Sequence, residues 1–209
     1  MLSLRGRLFL LVLLFWTLGS GLVFAQQAGQ CLVDAARKQI GVTRIYDGKY
    51  VVLAYPGGDV AAERGVCTDV IVRAYRQFGV DLQRLVHEDM RRDGSTYPRL
   101  WGLRRPDSNI DHRRVPNLAT FFARYGQSLP VGADPETYLP GDLVTWRLPM
   151  GVPHIGIVSN QRSAGGVPLI IHNIGAGAAE ENGLFNFKIT GHYRYLPSAL
   201  ADACKRSKS

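Results

Sequence analysis

Only three of the 209 residues are cysteine, so pairing leaves at least one thiol over. The chain has no internal repeat and no low-complexity linker, so nothing marks a seam where a second domain would begin. Its one long apolar run, Leu8 to Leu18, falls short of the about 20 residues a membrane span needs. No small residue precedes Cys31; Gln30 stands there, which excludes a lipoprotein signal. Acidic residues are the scarcer charge, 17 against 25 Lys and Arg. No recognisable nucleic-acid-binding module accompanies that basic surplus, so nucleic acid is not an expected partner. His87-Glu88-Asp89 and Asp111-His112 lack the ligand spacing of a familiar zinc site, and no metal or cofactor is expected from them.

What is present begins with a leader. Arg5 and Arg7 precede the apolar run, and Val23-Phe24-Ala25 gives a small-residue cleavage pattern ahead of Gln26. Residues 1–25 therefore read as a signal peptide, and the mature chain is expected to be periplasmic or secreted, without a stable membrane span and as a monomer. Residues 26–209 are enough for one domain with its own core. The basic surplus, spread through residues such as Arg73, Arg91, Arg99, Arg105 and Arg114, suits a partner rich in carboxylates or phosphates, such as a bacterial cell wall. Export also implies an oxidising compartment. Cys31 and Cys204 lie near the two ends of the mature chain, and domain termini are often close, so these two are the expected disulfide. Cys67 is then the free thiol, and a free thiol kept outside the cell is read as a reagent.

The periodicity predicts helices first. Leu32, Ala35, Ala36 and Ile40 share one face of a segment over 30–40, and Val70, Ile71, Ala74, Tyr75 and Phe78 do so over 68–78. Asp81 caps a third helix, and Asn117 a fourth carrying Leu118, Phe121 and Phe122. Residues 91–116 read as a polar, turn-rich excursion, part of an insert around 80–118. Strands follow at Asp142–Arg147, His154–Ser159, Pro168–His172 and Lys188–Tyr195, with a hairpin break at Gly165-Gly166. Helices packed on a C-terminal antiparallel sheet make the fold class α+β.

Cys67 at the start of a helix meets unpaired N–H groups and the positive end of the dipole, which favour a thiolate; a low thiol pKa is the expectation. His154, at the start of a strand, can present an imidazole to the sulfur. His172, at the end of the next strand, would lie beside it and orient it. Asn173 is the alternative third residue; neighbouring side chains on a strand point to opposite faces, so only one of the two can serve.

Taken together, Tyr55-Pro56-Gly57-Gly58, Cys67, Pro140-Gly141-Asp142-Leu143-Val144, His154-Ile155-Gly156-Ile157 and Ile171-His172 resemble the NlpC-type branch of the papain-like cysteine peptidases. Over the whole mature chain the sequence is similar to the YijF-like family, exported bacterial proteins of unassigned function grouped with those enzymes. The resemblance implies a papain-like fold, with Cys67 as nucleophile, His154 as base, His172 as orienting residue and the Tyr55 hydroxyl beside the oxyanion. It also implies cleavage of amide bonds in peptidoglycan stem peptides. The chain departs from that branch where Val66-Cys67-Thr68-Asp69 replaces the usual Asp-Cys-Ser-Gly. Asp69 and Trp101 are candidate substrate contacts, although Trp101 can equally plug the insert onto the core. Acyl transfer or amidase chemistry on the same scaffold and a non-catalytic cell-wall-binding module are the competing functions; loss of Cys67, His154 or His172 would mark the last, and all three are present.

Overall fold

The computed structural model describes residues 25–100, 102 and 105–206. The signal-peptide reading up to residue 24 and the Trp101 contact lie outside the described residues. Helix α1 (25–37) is followed by two short parallel strands, β1 (Ile45–Tyr46) and β2 (Arg64–Gly65). Then come α2 (Cys67–Arg76), α3 (Leu82–Asp93) and α4 (Val115–Tyr125). Six strands form one antiparallel sheet in the order β3-β8-β4-β5-β6-β7. They are β3 (Gln127–Ser128), β4 (Leu143–Arg147), β5 (Pro153–Arg162), β6 (Pro168–Asn173), β7 (Ala178–Glu181) and β8 (Lys188–Arg194); helix α5 (Ser198–Arg206) closes the described chain. The architecture is α+β.

Alternation along the strands sorts the apolar side chains onto two faces. On one face Leu143, Ile155, Ile157 and Ile171 meet Leu32 of α1, Val70, Ile71 and Ala74 of α2, and Leu118, Phe121 and Phe122 of α4 in the main core. On the other, Val144, Trp146, Val158 and Ile170 pack beneath Tyr138 and Leu184. Asp142, in the turn before β4, is buried and joined by Arg194 at 2.7 and 2.8 Å and by His192 at 2.9 Å, so it locks β8 to the sheet. α1 crosses this turn at Gly29 and Gly141, where a side chain on either glycine would collide with backbone. Cys31 of α1 and Cys204 of α5 are joined by a disulfide between residues 173 apart, which ties the two ends together. Among the described residues no helix is long and apolar enough to cross a membrane.

Two local expectations change and one holds. The segment read as an excursion over 91–116 is only partly irregular: α3 runs on to Asp93, and tight helical turns form at Gly94–Thr96 and Asp111–Arg113. Asp81 does cap α3, receiving the N–H groups of Gln83 and Arg84. Asn117, by contrast, lies inside α4 with Pro116 in the first turn, and its amide donates to the Asp111 carbonyl at 3.0 Å. A proline fits the first turn because no intrahelical donor is lost there.

Candidate active site

Cys67 is the first residue of α2 and only 4% exposed. Two carboxylates fix the loop that delivers it. Asp69 accepts the Val66 N–H at 2.7 Å and pairs with Arg113 through Nε and Nη2, both at 2.9 Å. Arg113 also donates to the carbonyls of Asp47 and Lys49, so the 80–118 segment is clamped both to α2 and to the stretch after β1. Arg73, further along α2, is paired with Asp59 and donates to the carbonyls of Val60, Ala61, Ala62 and Arg64. These bonds correct the reading of Asp69 as a substrate contact. It is 3% exposed, and both its oxygens are taken by Arg113 and Val66.

The sulfur meets the sheet edge-on. Val158 N–H bonds the Asp142 carbonyl, on the β4 side of β5. By alternation the N–H groups of Ile157 and Ile155 point to the β6 side. Pairing of β5 with β6 begins only at Ile157–Ile171, where the strands have come together, so the Ile155 N–H falls beyond that ladder. The N–H groups of Ile155, Cys67 and Thr68 all favour the Cys67 thiolate. The thiol therefore lies near the backbone of the strand that carries His154, at the mouth where β5 and β6 part.

His154 and His172 project from the face of Trp146, whose ring centroid lies 5.8 Å from one and 6.5 Å from the other. His154 Nε2 and His172 Nδ1 are 2.8 Å apart, and His172 Nε2 is 2.8 Å from Glu181 Oε1. His154 Nδ1 has no hydrogen-bond partner among the described residues. Gly156 makes room for the pair: a Cβ there would sit 2.6 Å from Ile170 Cγ2 and 3.1 Å from His172 Cβ. Asn173 faces the other way. Its amide donates to the Gly65 carbonyl at 3.0 Å, and its oxygen accepts from the N–H groups of Gly175 and Gly177. The structure therefore pairs His172, and not Asn173, with His154.

The electrostatics correct the low-pKa reading of Cys67. Burial pushes the thiol up to about 12, against the pull of the three N–H groups and with Asp69 adding to the rise. Burial, with His172 beside it, pushes His154 down to about 3. His172 is also lowered by burial, with Glu181 opposing the shift. Desolvation outweighs the helix terminus here because the sulfur is almost wholly shielded from water. Burial thus favours the neutral thiol and the neutral imidazoles.

A cavity of about 340 Å³ opens at Cys67, lined by Tyr46, Val66, Ile110, Arg114, Val115 and Val152 among others. Tyr46 is among the residues that line this cavity. β1 pairs with β2 so that Tyr46 stands opposite Gly65, two residues before Cys67, and burial with Cys67 and Asp69 nearby pushes its phenol up to about 12. Tyr55, 43% exposed like Tyr46, instead packs edge-on against His87 of α3 at 5.3 Å. The Pro-Gly-Gly turn that follows Tyr55 leads its ring to α3, which is why that expectation fails. The remaining histidines have other partners or settings. His87 bonds Asp111 at 2.9 Å, His192 bonds Asp142 and stacks on Tyr138, and His112 is buried and pushed down to about 4.

Helices on one face of an antiparallel sheet, with a buried thiol at a helix start and two bonded histidines on adjacent strands, make an α+β protein. The chain belongs to the DUF1287 family, described as a domain of unknown function, which matches residues 33–195. It is 58% identical over 165 residues to uncharacterised protein YijF of Escherichia coli strain K12, over 79% of this chain and 80% of that one. Among solved structures, NlpC1 from Trichomonas vaginalis is similar over 80% of this chain and 44% of its own, at 15% identity and a TM-score of 0.43. A likeness of that size carries no conclusion about activity.

Proposed function

We propose that this protein is an exported cysteine hydrolase that cuts amide bonds in peptidoglycan stem peptides. The observation that carries the reading is the His154–His172 pair at 2.8 Å on adjacent strands of the sheet on which the helix of the buried, free Cys67 packs. In this reading His154 Nδ1 takes the Cys67 proton as sulfur attacks the amide carbonyl carbon. The developing oxyanion is received by the Cys67 N–H and the Tyr46 hydroxyl. The same proton then passes from His154 to the leaving amine nitrogen, the C–N bond breaks and a thioester remains. Water, deprotonated by His154, attacks that thioester; acid and thiol are the products. The basic surface suits a wall rich in carboxylates, and the Cys31–Cys204 disulfide suits an oxidising compartment.

The apolar cavity lining by Val66, Ile110, Val115 and Val152 favours a second reading, transfer of the acyl group to an amine in place of water. Both readings are tested by one experiment. Mature protein is incubated with purified muropeptides, with and without an added amine, and the products are weighed by mass spectrometry. Cleavage gains one water, transfer gains the amine, and Cys67→Ala should give neither. Intact muropeptides in every arm with the unsubstituted protein would overturn both.

A further inference from the structure

The hydrogen-bond chain does not end at His172. β7 pairs with β6 so that Glu181 stands opposite Ile170 and Glu180 opposite Ile171. Glu181 therefore projects on the Ile170 face, as a diagonal neighbour of His172. Glu180 projects on the other face, where Arg37 and Ser159 hold it. The two adjacent glutamates are thus divided between the two faces of the sheet. Glu181 reaches a nearly buried imidazole while its own side chain is half exposed, 51% against 4%.

We propose that Glu181 is a positioning residue that fixes the tautomers of both histidines, so that His154 is left with an unprotonated Nδ1 as a base. The reasoning runs along the chain one proton at a time. A carboxylate offers only acceptor atoms, so at 2.8 Å the His172 Nε2 must donate. A neutral imidazole carries one N–H, which leaves His172 Nδ1 with a lone pair. That lone pair lies 2.8 Å from His154 Nε2, which must then be the donor of the second bond. His154 has spent its one proton there, and its Nδ1 is left as a base. With the opposite tautomer His172 would set a lone pair against the Glu181 oxygen, and His154 would carry its proton on Nδ1, where no proton could be accepted. Without Glu181 the two arrangements are nearly equivalent, so the carboxylate supplies the preference.

The proposal rests on the cysteine-enzyme reading for its consequence, but the tautomers can be read without any substrate. Uniformly 15N-labelled mature protein at pH 7 is examined by long-range proton–nitrogen NMR of the imidazole rings. His154 and His172 are both expected as Nε2–H in the unsubstituted protein. Glu181→Ala should give a mixture at both rings, and Glu181→Gln should keep the native pattern because its carbonyl oxygen still accepts. An Nδ1–H tautomer at His172 in the unsubstituted protein would overturn the proposal, as would unchanged tautomers in Glu181→Ala. Where muropeptide cleavage is measurable, Glu181→Ala should lower kcat roughly tenfold or more at similar KM, with recovery in Glu181→Gln. A loss in KM alone, or an equal kcat loss in both variants, would count against it. Absence of any cleavage would fall on the hydrolase reading and leave the NMR result to decide this one.

Discussion

His154 and His172 are joined nitrogen to nitrogen at 2.8 Å across strands β5 and β6, and both rings lie on the Trp146 face of the sheet. The neighbouring Asn173 turns to the helix face and bonds Gly65 instead. One step along the strand therefore separates the ring bonded to His154 from the amide that braces the segment before Cys67.

That separation predicts different losses. His154→Ala should lower turnover roughly 10²- to 10⁴-fold, the usual worth of a general acid–base group. His172→Ala should cost less, and His172→Asn less again, because an amide can still accept the His154 N–H. Asn173→Ala should act mainly on stability. It leaves the N–H groups of Gly175 and Gly177 unmet, at about 1–3 kcal/mol for each that finds no water, while the Gly65 carbonyl keeps the Asp47 N–H. Steady-state kinetics beside thermal unfolding separates the two; a cold, stable Asn173→Ala protein with abolished kcat would reverse the assignment.

Cys67 should alkylate slowly. A thiol pushed up to about 12 by burial is almost wholly protonated at neutral pH. Iodoacetamide labelling followed by peptide mass mapping should show a rate that keeps rising with pH beyond about 8.5, the value for a free cysteine. A plateau below that pH would mean that the helix terminus and His154 outweigh desolvation after all.

Buried neutral histidines also set the acid limit of stability. His154 is depressed to about 3 and His112 to about 4, both below the ordinary 6.5. The unfolded chain binds these protons first, so stability is fully present above about 6.5 and falls as pH drops toward the folded values. For His154 alone the loss at pH 5 is on the order of 2 kcal/mol. Melting temperature should therefore decline between pH 7 and pH 4, and His112→Gln should flatten part of that slope if the variant folds. A flat profile over this range would show that both rings are solvated.

The helices and central strands are legible in the sequence because their periodicities are local. Cys67, His154 and His172 can be picked out because each sits at the end of such an element. What is not legible depends on partners far along the chain. The Asp69–Arg113 pair spans 44 residues, so Asp69 reads as exposed when its neighbours alone are considered. Glu181 lies on β7, whose Ala-Ala-Glu-Glu has no apolar alternation to announce a strand. The depth of Cys67 follows from β5 and β6 parting at their ends, which no spacing encodes.

The disulfide closes a loop of 173 residues, worth about 5 kcal/mol in the chain-entropy account. Cys31→Ser with Cys204→Ser should lower the denaturant midpoint strongly while leaving the tautomers of His154 and His172 unchanged. Equal stability with and without reductant in the unsubstituted protein would show that the ends are held by packing alone.

Tyr46 and Tyr55 offer the sharpest contrast between sequence pattern and geometry. Tyr55 precedes the Pro-Gly-Gly turn and matches the expected pattern, yet its ring packs against His87. Tyr46 has no such motif, yet the pairing of β1 with β2 sets it opposite Gly65 and into the Cys67 cavity. Its phenol, pushed up to about 12, stays protonated through the working pH range and remains a donor. Loss of one oxyanion donor costs on the order of 10²-fold in kcat, so Tyr46→Phe should show a loss of that size with KM little changed. Tyr55→Phe keeps the ring that meets His87 and should match the unsubstituted protein. Both variants retain their apolar bodies, so unfolding is not expected to confuse the comparison. If Tyr55→Phe is the slower enzyme, the oxyanion lies on the α3 side of the cleft and the β1–β2 bridge has been given the wrong role.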